Sequence, residues 1–404
     1  MTKQTEKYLV INGGSSSLKF SLYEMPAEKE LINGYIEKIG ADDCFWTLKI
    51  NGEKIKHAAP LRNHSEAVEI MMKELIDNKV IKSIDEIKGI GHRVVHAGEY
   101  YKDSVLIDDQ VMSRIEELTK LVPLHHPGEI AGIKAMQKVM PNVPNVAVFD
   151  TAFHQTMEKE YFMYPLPMEW YQKLGVRKYG FHGTSHKYIT ETMQEKLGRK
   201  DINLIICHIG SGASLSAIKD CKCVNTTMGL TPLDGLMMGT RCGSIDPSII
   251  EYVCKETHKT VEEVTKDLNK ASGLLGITGK SDLRDVEELA AGGDENAILA
   301  LKIYVNTIVK YIAEYYFQLD TDVDAIVFTA GAGENGIELR ENIINKISKA
   351  TGIILDKKAN NEIASYRSKR EGIITTKASK IPVYVVPTDE EVMILRDTYN
   401  IINK

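Results

Sequence analysis

No uninterrupted apolar run in this sequence approaches the roughly 18 residues that suggest a membrane span. The opening stretch, MTKQTEKYLVIN, has neither the apolar region nor the small-residue cleavage site of a secretory leader. Neither a membrane partner nor export is therefore expected. Charge of one sign is also scarce. With 50 basic and 56 acidic side chains the formal net charge is -6, which argues against non-specific binding to nucleic acid or anionic lipid. The six cysteines form no framework. Cys221 and Cys223 are the only close pair, and their single-residue spacing fits neither a zinc knuckle nor a redox pair. Reduced thiols in a cytoplasmic protein are the simplest expectation. HExxH and paired Cys/His spacings are missing as well, which removes the usual zinc hydrolases.

What the sequence does contain is length and alternation. Its 404 residues can build two or three domains with cores of their own, and 43% hydrophobic with 26% charged residues is ordinary for a globular chain. Short β-rich runs alternate with helical periodicity, which favours an α/β class. Strands are predicted at Tyr8–Asn12, Lys19–Tyr23, Gly89–His96, Val146–Phe149, Leu204–Cys207, Ala213–Ile218, Ala325–Thr329 and Val383–Val386. Helices are predicted at His64–Asp77, Glu129–Met140, Ser185–Leu197, Pro247–Lys255, Glu295–Gln318 and Ile337–Lys349. No low-complexity linker divides the chain, and the best boundary lies near Asp150, where an apolar strand ends in FDTAFHQT.

One weak internal repeat stands out. Aligning Gly14 with Gly210 sets LVINGGSSSLKFSL over IICHIGSGASLSAI, each a strand, a Gly/Ser turn and a second strand. A turn this poor in side chains lets successive backbone N–H groups approach and surround an anion. A third glycine-rich strand end follows at TAGAGENG.

Two more familiar phosphate motifs compete. SGLLGITGKS resembles a Walker A loop, but five residues rather than four separate Gly273 from Gly279. GAGENG, residues 331–336, satisfies G-x-G-x-x-G, follows a strand, precedes a helix and has Asp356 about 20 residues on. It starts too late in the chain for two mononucleotide-binding halves, so it reads instead as a loop beside the adenosine part of a nucleotide. Charge marks other positions. Arg93 lies in a strand and needs an anion, whether a structural carboxylate or a substrate. Arg241 lies in the small-residue loop MMGTRCGSIDP, and RKYGFHGTSH and VFDTAFHQT place His182, His186, Asp150 and His154 in loops.

The motifs VINGGSSSLK, GHRVVHAG, FDTAFHQTM, YGFHGTSH, CHIGSGAS, TTMGLTPLDGLMMGTR, FTAGAGEN and PTDEE run in the order, and near the spacing, seen in acetate kinases. The resemblance covers essentially the whole chain. It implies the duplicated two-domain α/β fold of actin, hexokinase and the heat-shock ATPases, with nucleotide in the interdomain cleft. The expected division is an N-terminal domain over residues 1–150, joined by a returning terminal helix at 391–404, and a nucleotide-binding domain over 151–390.

Position by position, Asn12 and Glu390 resemble the residues around Mg²⁺ (Mn²⁺ being an alternative), and Lys19 the residue at the nucleotide phosphates. His208, Ile209, Gly210, Ser211 and Gly212 look like the second phosphate loop. Asp282, Leu283 and Arg284, with Gly331, Ala332, Gly333, Glu334 and Asn335, look like the nucleotide-binding segments. Arg93 resembles the carboxylate-binding arginine, Asp150 the catalytic aspartate, and His182 and Arg241 the transition-state stabilisers. Val95, Leu124, Phe181 and Pro232 match a small pocket for the methyl group, and His125 another active-site histidine.

The implied reaction is acetate + ATP ⇌ acetyl phosphate + ADP, in a homodimer. Propionate or another short acid is the alternative substrate. Rival classes are an actin- or heat-shock-like ATPase, which would not need Arg93 and Arg241, and a nicotinamide oxidoreductase, which would leave the first hairpin unexplained. Departures from the family pattern are Gly13, Ala97, His126, Gly128, Glu129, Ser211, Cys242, Ser244 and Ala332. They bear on donor and acyl preference rather than on reaction type, and Gly331 with Ala332 leaves the adenine side open to a nucleoside triphosphate.

Overall fold

The computed structural model describes residues 5–404 except Leu124. The chain divides into two compact units, one of residues 1–155 with 389–404 and the other of residues 156–388. The first unit holds strands β1 (Glu6–Gly14), β2 (Ser17–Met25), β3 (Lys29–Glu37), β4 (Phe45–Ile50), β5 (Glu53–Ala58), β6 (Ile87–Val94), β7 (Val105–Leu106) and β8 (Asn145–Phe149). They form one sheet in the order β5-β4-β3-β2-β1-β6-β8-β7. The second unit holds β9 (Leu204–Ile209), β10 (Ala213–Lys219), β11 (Lys222–Thr226), β12 (Ala325–Thr329), β13 (Gly372–Ile373) and β14 (Val383–Val385), in the order β11-β10-β9-β12-β14-β13.

The duplication is visible in the pairing. In the first sheet, β1, β2 and β3 form an antiparallel meander, while β6 and β8 run parallel to β1. In the second, β9, β10 and β11 form the meander, while β12 and β14 run parallel to β9. Both sheets thus repeat a 3-2-1-4-5 strand order, the doubled α/β arrangement of the actin and hexokinase type. Parallel strands need crossover connections and are buried on both faces, which is why their sequences read as unbroken apolar runs. AIVFT in β12 and NVAVF in β8 are buried at every position.

In the first unit, β1 sends its alternate residues to opposite faces. Leu9 and Ile11 join Phe20, Val68, Met71 and Leu75, the last three on the helix His64–Asp77. Asn63 caps that helix, its Oδ1 accepting from Glu66 N at 3.1 Å. Tyr8 and Val10 face the other way, against Ile394 and Leu395 of the terminal helix Glu390–Ile402. That helix lies so close to β6 that two of its residues must be glycine. A Cβ on Gly91 would sit 2.2 Å from Thr398 Oγ1 and 2.8 Å from Ile394 Cγ2, and one on Gly89 would sit 2.2 Å from Ile402 Cδ1. The small residues of IKGIGHRV therefore seat the helix that begins at Glu390. Among the described residues, no helix is long and apolar enough to cross a membrane.

Gly91→Val should overpack this contact and lower stability by about 1–3 kcal/mol. A urea unfolding midpoint equal to that of the unmodified protein would show that the helix does not bear on β6.

Candidate active site

The first hairpin, β1–β2, turns through Ser15 and Ser16, with Asn12 directly opposite Lys19 in the ladder. Its backbone is held from outside. His64 Nε2 bonds Gly14 O at 2.8 Å, and the start of the helix His126–Val139 presses on the turn, leaving no room for a side chain at Gly128. A Cβ there would lie 2.4 Å from Gly14 C and 2.6 Å from Ser15 N. Lys19 is ion-paired with Glu391 in the first turn of the terminal helix. Glu391 also accepts a hydrogen bond from Ser21, which shares a strand face with Lys19.

At the end of β6, Arg93 Nη2 donates to Asp150 Oδ2 at 2.5 Å, and the Asp150 side chain is almost wholly buried. Burial opposes the charge on Arg93, but the carboxyls of Asp150, Glu390 and Glu129 outweigh it and hold the guanidinium protonated, above its usual value. The same crowding acts on the acids. Burial, then the charge on Asp150, pushes Glu390 up to about 7, with Arg93 and Lys19 pulling the other way. Burial pushes Glu129 up to about 8 against the pull of Arg93 and the Val95 N–H. A cluster of carboxyl oxygens around one arginine suits a hard cation. Among the described residues no three His, Cys, Asp or Glu side chains are grouped to hold a metal by themselves. Asn12 and Glu390, the two residues expected at a divalent cation, are both oxygen donors of the first unit.

In the second unit, the β9–β10 hairpin turns through Gly210, Ser211 and Gly212, with Gly210 N donating to Gly212 O at 3.1 Å. A Cβ at Gly212 would lie 3.3 Å from both Arg241 Nη1 and His182 Nε2. A guanidinium and an imidazole thus border the turn at Gly212, a position that carries no side chain. Arg241 has no acid to pair with among the described residues. Its Nη1 approaches only Pro232 O at 3.4 Å and Met238 Sδ at 3.6 Å, and burial lowers its pKa.

His182 precedes the helix Gly183–Leu197 with φ 60, a left-handed conformation costly for a residue with a Cβ. Its Nδ1 bonds Ser214 Oγ at 2.9 Å, and its ring stacks on His208 at 4.2 Å. His208 is in turn held through Nδ1 by Ser185 Oγ at 2.8 Å, and burial pushes its pKa down to about 4, so it is a neutral ring. The strained backbone, the serine and the stacked neutral ring fix the direction of His182 Nε2.

A cavity of about 570 Å³ opens beside this turn. Gly210, Ser211, Asp282, Leu283, Arg284, Gly331, Ala332 and Asn335 line it, so three separate segments of sequence share one wall. Asp282 caps the helix Leu283–Ala291 and pairs with Arg284, its Oδ2 2.6 Å from Nη2, which holds the aspartate down at about 2. The Gly331–Asn335 segment is not the loop expected from its glycines. It forms a helical turn, Ala330–Asn335, entered through Ala330 at φ 63. Arg340, fully buried, locks that turn: Nη1 donates to Gly333 O at 2.9 Å and Glu334 O at 2.7 Å. Its Nη2 donates to Ile363 O at 2.7 Å and its Nε to Asn360 Oδ1 at 2.8 Å.

Other expected residues fall as follows. Asn12, Lys19, Arg93, Val95, His125, Asp150 and Glu390 belong to the first unit; Phe181, His182, Pro232 and Arg241 belong to the second. Val95 and Phe181 are buried and His125 is exposed. Leu124 lies outside the described residues. His208, Ile209, Gly212, Gly333 and Glu334 are not among the residues that line the cavity. Glu287, Tyr304, Ser365 and Tyr366 line the cavity and were not foreseen. Glu287 shares the face of Leu283 one turn on, a spacing that could have found it. Ser365 is brought in by Asn335, whose Oδ1 accepts from its N at 2.8 Å and its Oγ at 2.6 Å.

Two sheets of 3-2-1-4-5 order, each with a hairpin turn of small residues, define a doubled α/β protein of the actin and hexokinase type. The chain belongs to the acetokinase family, which it matches over residues 7–396. It is 51% identical over 400 residues to an acetate kinase of Geobacillus sp. (strain WCH70), covering 98% of this chain and 99% of that protein. The structure resembles that of Porphyromonas gingivalis acetate kinase with a TM-score of 0.93 at 42% identity, over 98% of this chain and 100% of the other. It resembles a propionate kinase from Francisella tularensis with a TM-score of 0.91, also at 42% identity, over 98% and 99% of the two chains.

Arg340→Met should leave the carbonyls of Gly333, Glu334 and Ile363 without their donor and cost about 3–5 kcal/mol. Calorimetry should show a lower melting temperature. An unchanged one would mean the helical turn does not depend on the arginine.

Proposed function

We propose that this protein transfers the γ-phosphoryl group of ATP reversibly to the carboxylate of acetate, giving acetyl phosphate and ADP. The observation that carries this reading is the approach of two side-chain nitrogens, Arg241 Nη1 and His182 Nε2, to the turn at Gly212. A half-buried guanidinium with no acid beside it is built to receive an anion from outside.

Acetate is already ionised at neutral pH, so its oxygen attacks without a general base. An O–P bond forms to the γ-phosphorus, the bond to the β-phosphate oxygen breaks, and ADP leaves with the electron pair. What opposes the step is repulsion between the carboxylate and a polyanionic phosphate, and catalysis is mainly positioning and charge stabilisation. Arg93 anchors the carboxylate, with Val95 beside it in the first unit for the methyl group; Phe181 and Pro232, also expected at the methyl group, belong to the second unit. Arg241 and His182 meet charge developing on the transferred group. In the second unit the backbone N–H groups of Gly210–Gly212 hold phosphate and the cavity along Gly331 and Ala332 takes the adenosine; Lys19 is the phosphate-binding residue of the first unit.

When bound, Mg²⁺ (or Mn²⁺) neutralises phosphate charge; Asn12 and Glu390 would hold it. Asp150, buried against Arg93, acts as the residue that orients the guanidinium rather than as a base. The protein is also proposed to work as a cytoplasmic homodimer. Exposed Tyr252, Val261 and Phe317 on the second unit are apolar surface that self-association could cover.

Trapping acyl phosphate as hydroxamate, with ATP, Mg²⁺ and each of acetate, propionate and butyrate, tests the reading. Acetate should be the best substrate. Propionate should be poorer but real, since one methylene discriminates by only ~1–3 kcal/mol. No product from any acid would overturn the function, and propionate outrunning acetate would reassign the substrate. Asp150→Asn should lower the rate on the order of 10²–10³; near-full activity at saturating Mg²⁺ would remove Asp150 from the mechanism.

A further inference from the structure

Glu129 is buried where a carboxyl is costly. It lies in the first turn of the helix His126–Val139 with 3% of its surface exposed, and burial of an acid must be offset by partners. Its Oε2 accepts from the Val95 N–H at 3.2 Å. Val95 follows directly on the end of β6, two residues beyond Arg93, so its amide belongs to the stretch of backbone that carries that arginine. Behind Glu129 stands His126, also buried. Its Nδ1 bonds Ile115 O at 2.8 Å, and its Nε2 lies 3.8 Å from Glu129 Oε2. Burial pushes that imidazole down to about 4, so it is a neutral wall rather than a counter-ion. On the other side, the close approach of Gly128 to the first hairpin fixes the helix start, and a Cβ on Gly13 would reach within 3.5 Å of Glu129 Cα. Glu129 is thus wedged between the phosphate hairpin and the backbone that carries Arg93. Packing alone would be served by an apolar side chain, whereas this one takes up a main-chain N–H at the acid-binding end of β6.

We propose that Glu129 is a positioning residue: by clamping the Val95 amide it sets where the Arg93 guanidinium and the Val95 side chain meet the substrate acid. The proposal rests on Arg93 being the carboxylate anchor. It predicts an effect on one substrate only. The Glu129 carboxyl does not line the adenosine cavity, so loosening the clamp should weaken the acid and leave the nucleotide alone.

The test uses the full-length protein with Glu129→Asp, Glu129→Ala and Glu129→Gln. KM for acetate and for ATP, and kcat, are measured by hydroxamate formation, with folding followed by circular dichroism. Asp is one methylene too short to reach the amide, and Ala removes the acceptor. Both should raise the acetate KM about tenfold, the equivalent of one lost hydrogen bond, with the ATP KM unchanged. Gln keeps the acceptor at the same reach and should bring the acetate KM back to within about threefold of the unmodified protein. If Glu129→Ala fails to fold, the Asp and Gln pair carries the comparison.

An active parent enzyme whose Asp variant keeps its acetate KM, or raises both KM values together, would overturn the role of Glu129 and leave the function standing. A parent protein that makes no acyl phosphate from any acid would overturn the functional reading and this proposal with it.

Discussion

A guanidinium without a carboxylate is the constraint on which the second unit is built. Arg241 is half-buried, has no acid partner among the described residues, and has its charge disfavoured by burial. Folding tolerates that cost only if something holds the arginine in place and something else later satisfies it. The holding is local, through Pro232 O and the loop that reaches back to Met238. In the proposed reading the satisfaction is left to an anion, and the turn at Gly212 has no side chain in the way.

The first unit solves the opposite problem. Arg93 has more acid around it than one positive charge can balance, since Asp150, Glu129 and Glu390 all lie within its field. Were every one of these carboxyls ionised, an acid substrate would be repelled. Burial raises Glu129 and Glu390, to about 8 and about 7, so neither carries a full negative charge at neutral pH. A divalent cation would relieve the remainder. The contrast between an under-neutralised and an over-neutralised arginine fits a reaction that joins a phosphoryl group to a carboxylate.

Much of this fold could be read from the amino-acid order because its signals are local. The helix Glu295–Gln318 was expected at the bounds it has, since 24 residues of amphipathic periodicity leave little freedom. The paired hairpins at Gly14 and Gly210 could be read from glycine and serine between apolar runs. The strands β3 to β5 were not foreseen. β5 is an exposed edge strand, EKIKHA, whose side chains carry no core pattern, and its pairing depends on β4 already being in place. GAGENG misled in a different way, because a tertiary partner, Arg340, makes a helical turn of what its glycines alone would leave as loop. Among site residues, those in compact motifs could be named. Ser365 and Tyr366 reach the cavity only through the packing of other elements, and no short pattern marks them.

The claim that most needs a direct measurement is that Arg241 meets charge on the transferred phosphoryl group. Arg241→Ala, assayed for acetyl phosphate formation with and without added guanidinium ion, isolates it. The account predicts a loss of kcat on the order of 10²–10³, partial recovery with free guanidinium, and little change in the KM for acetate. Full activity of Arg241→Ala without any guanidinium would contradict it.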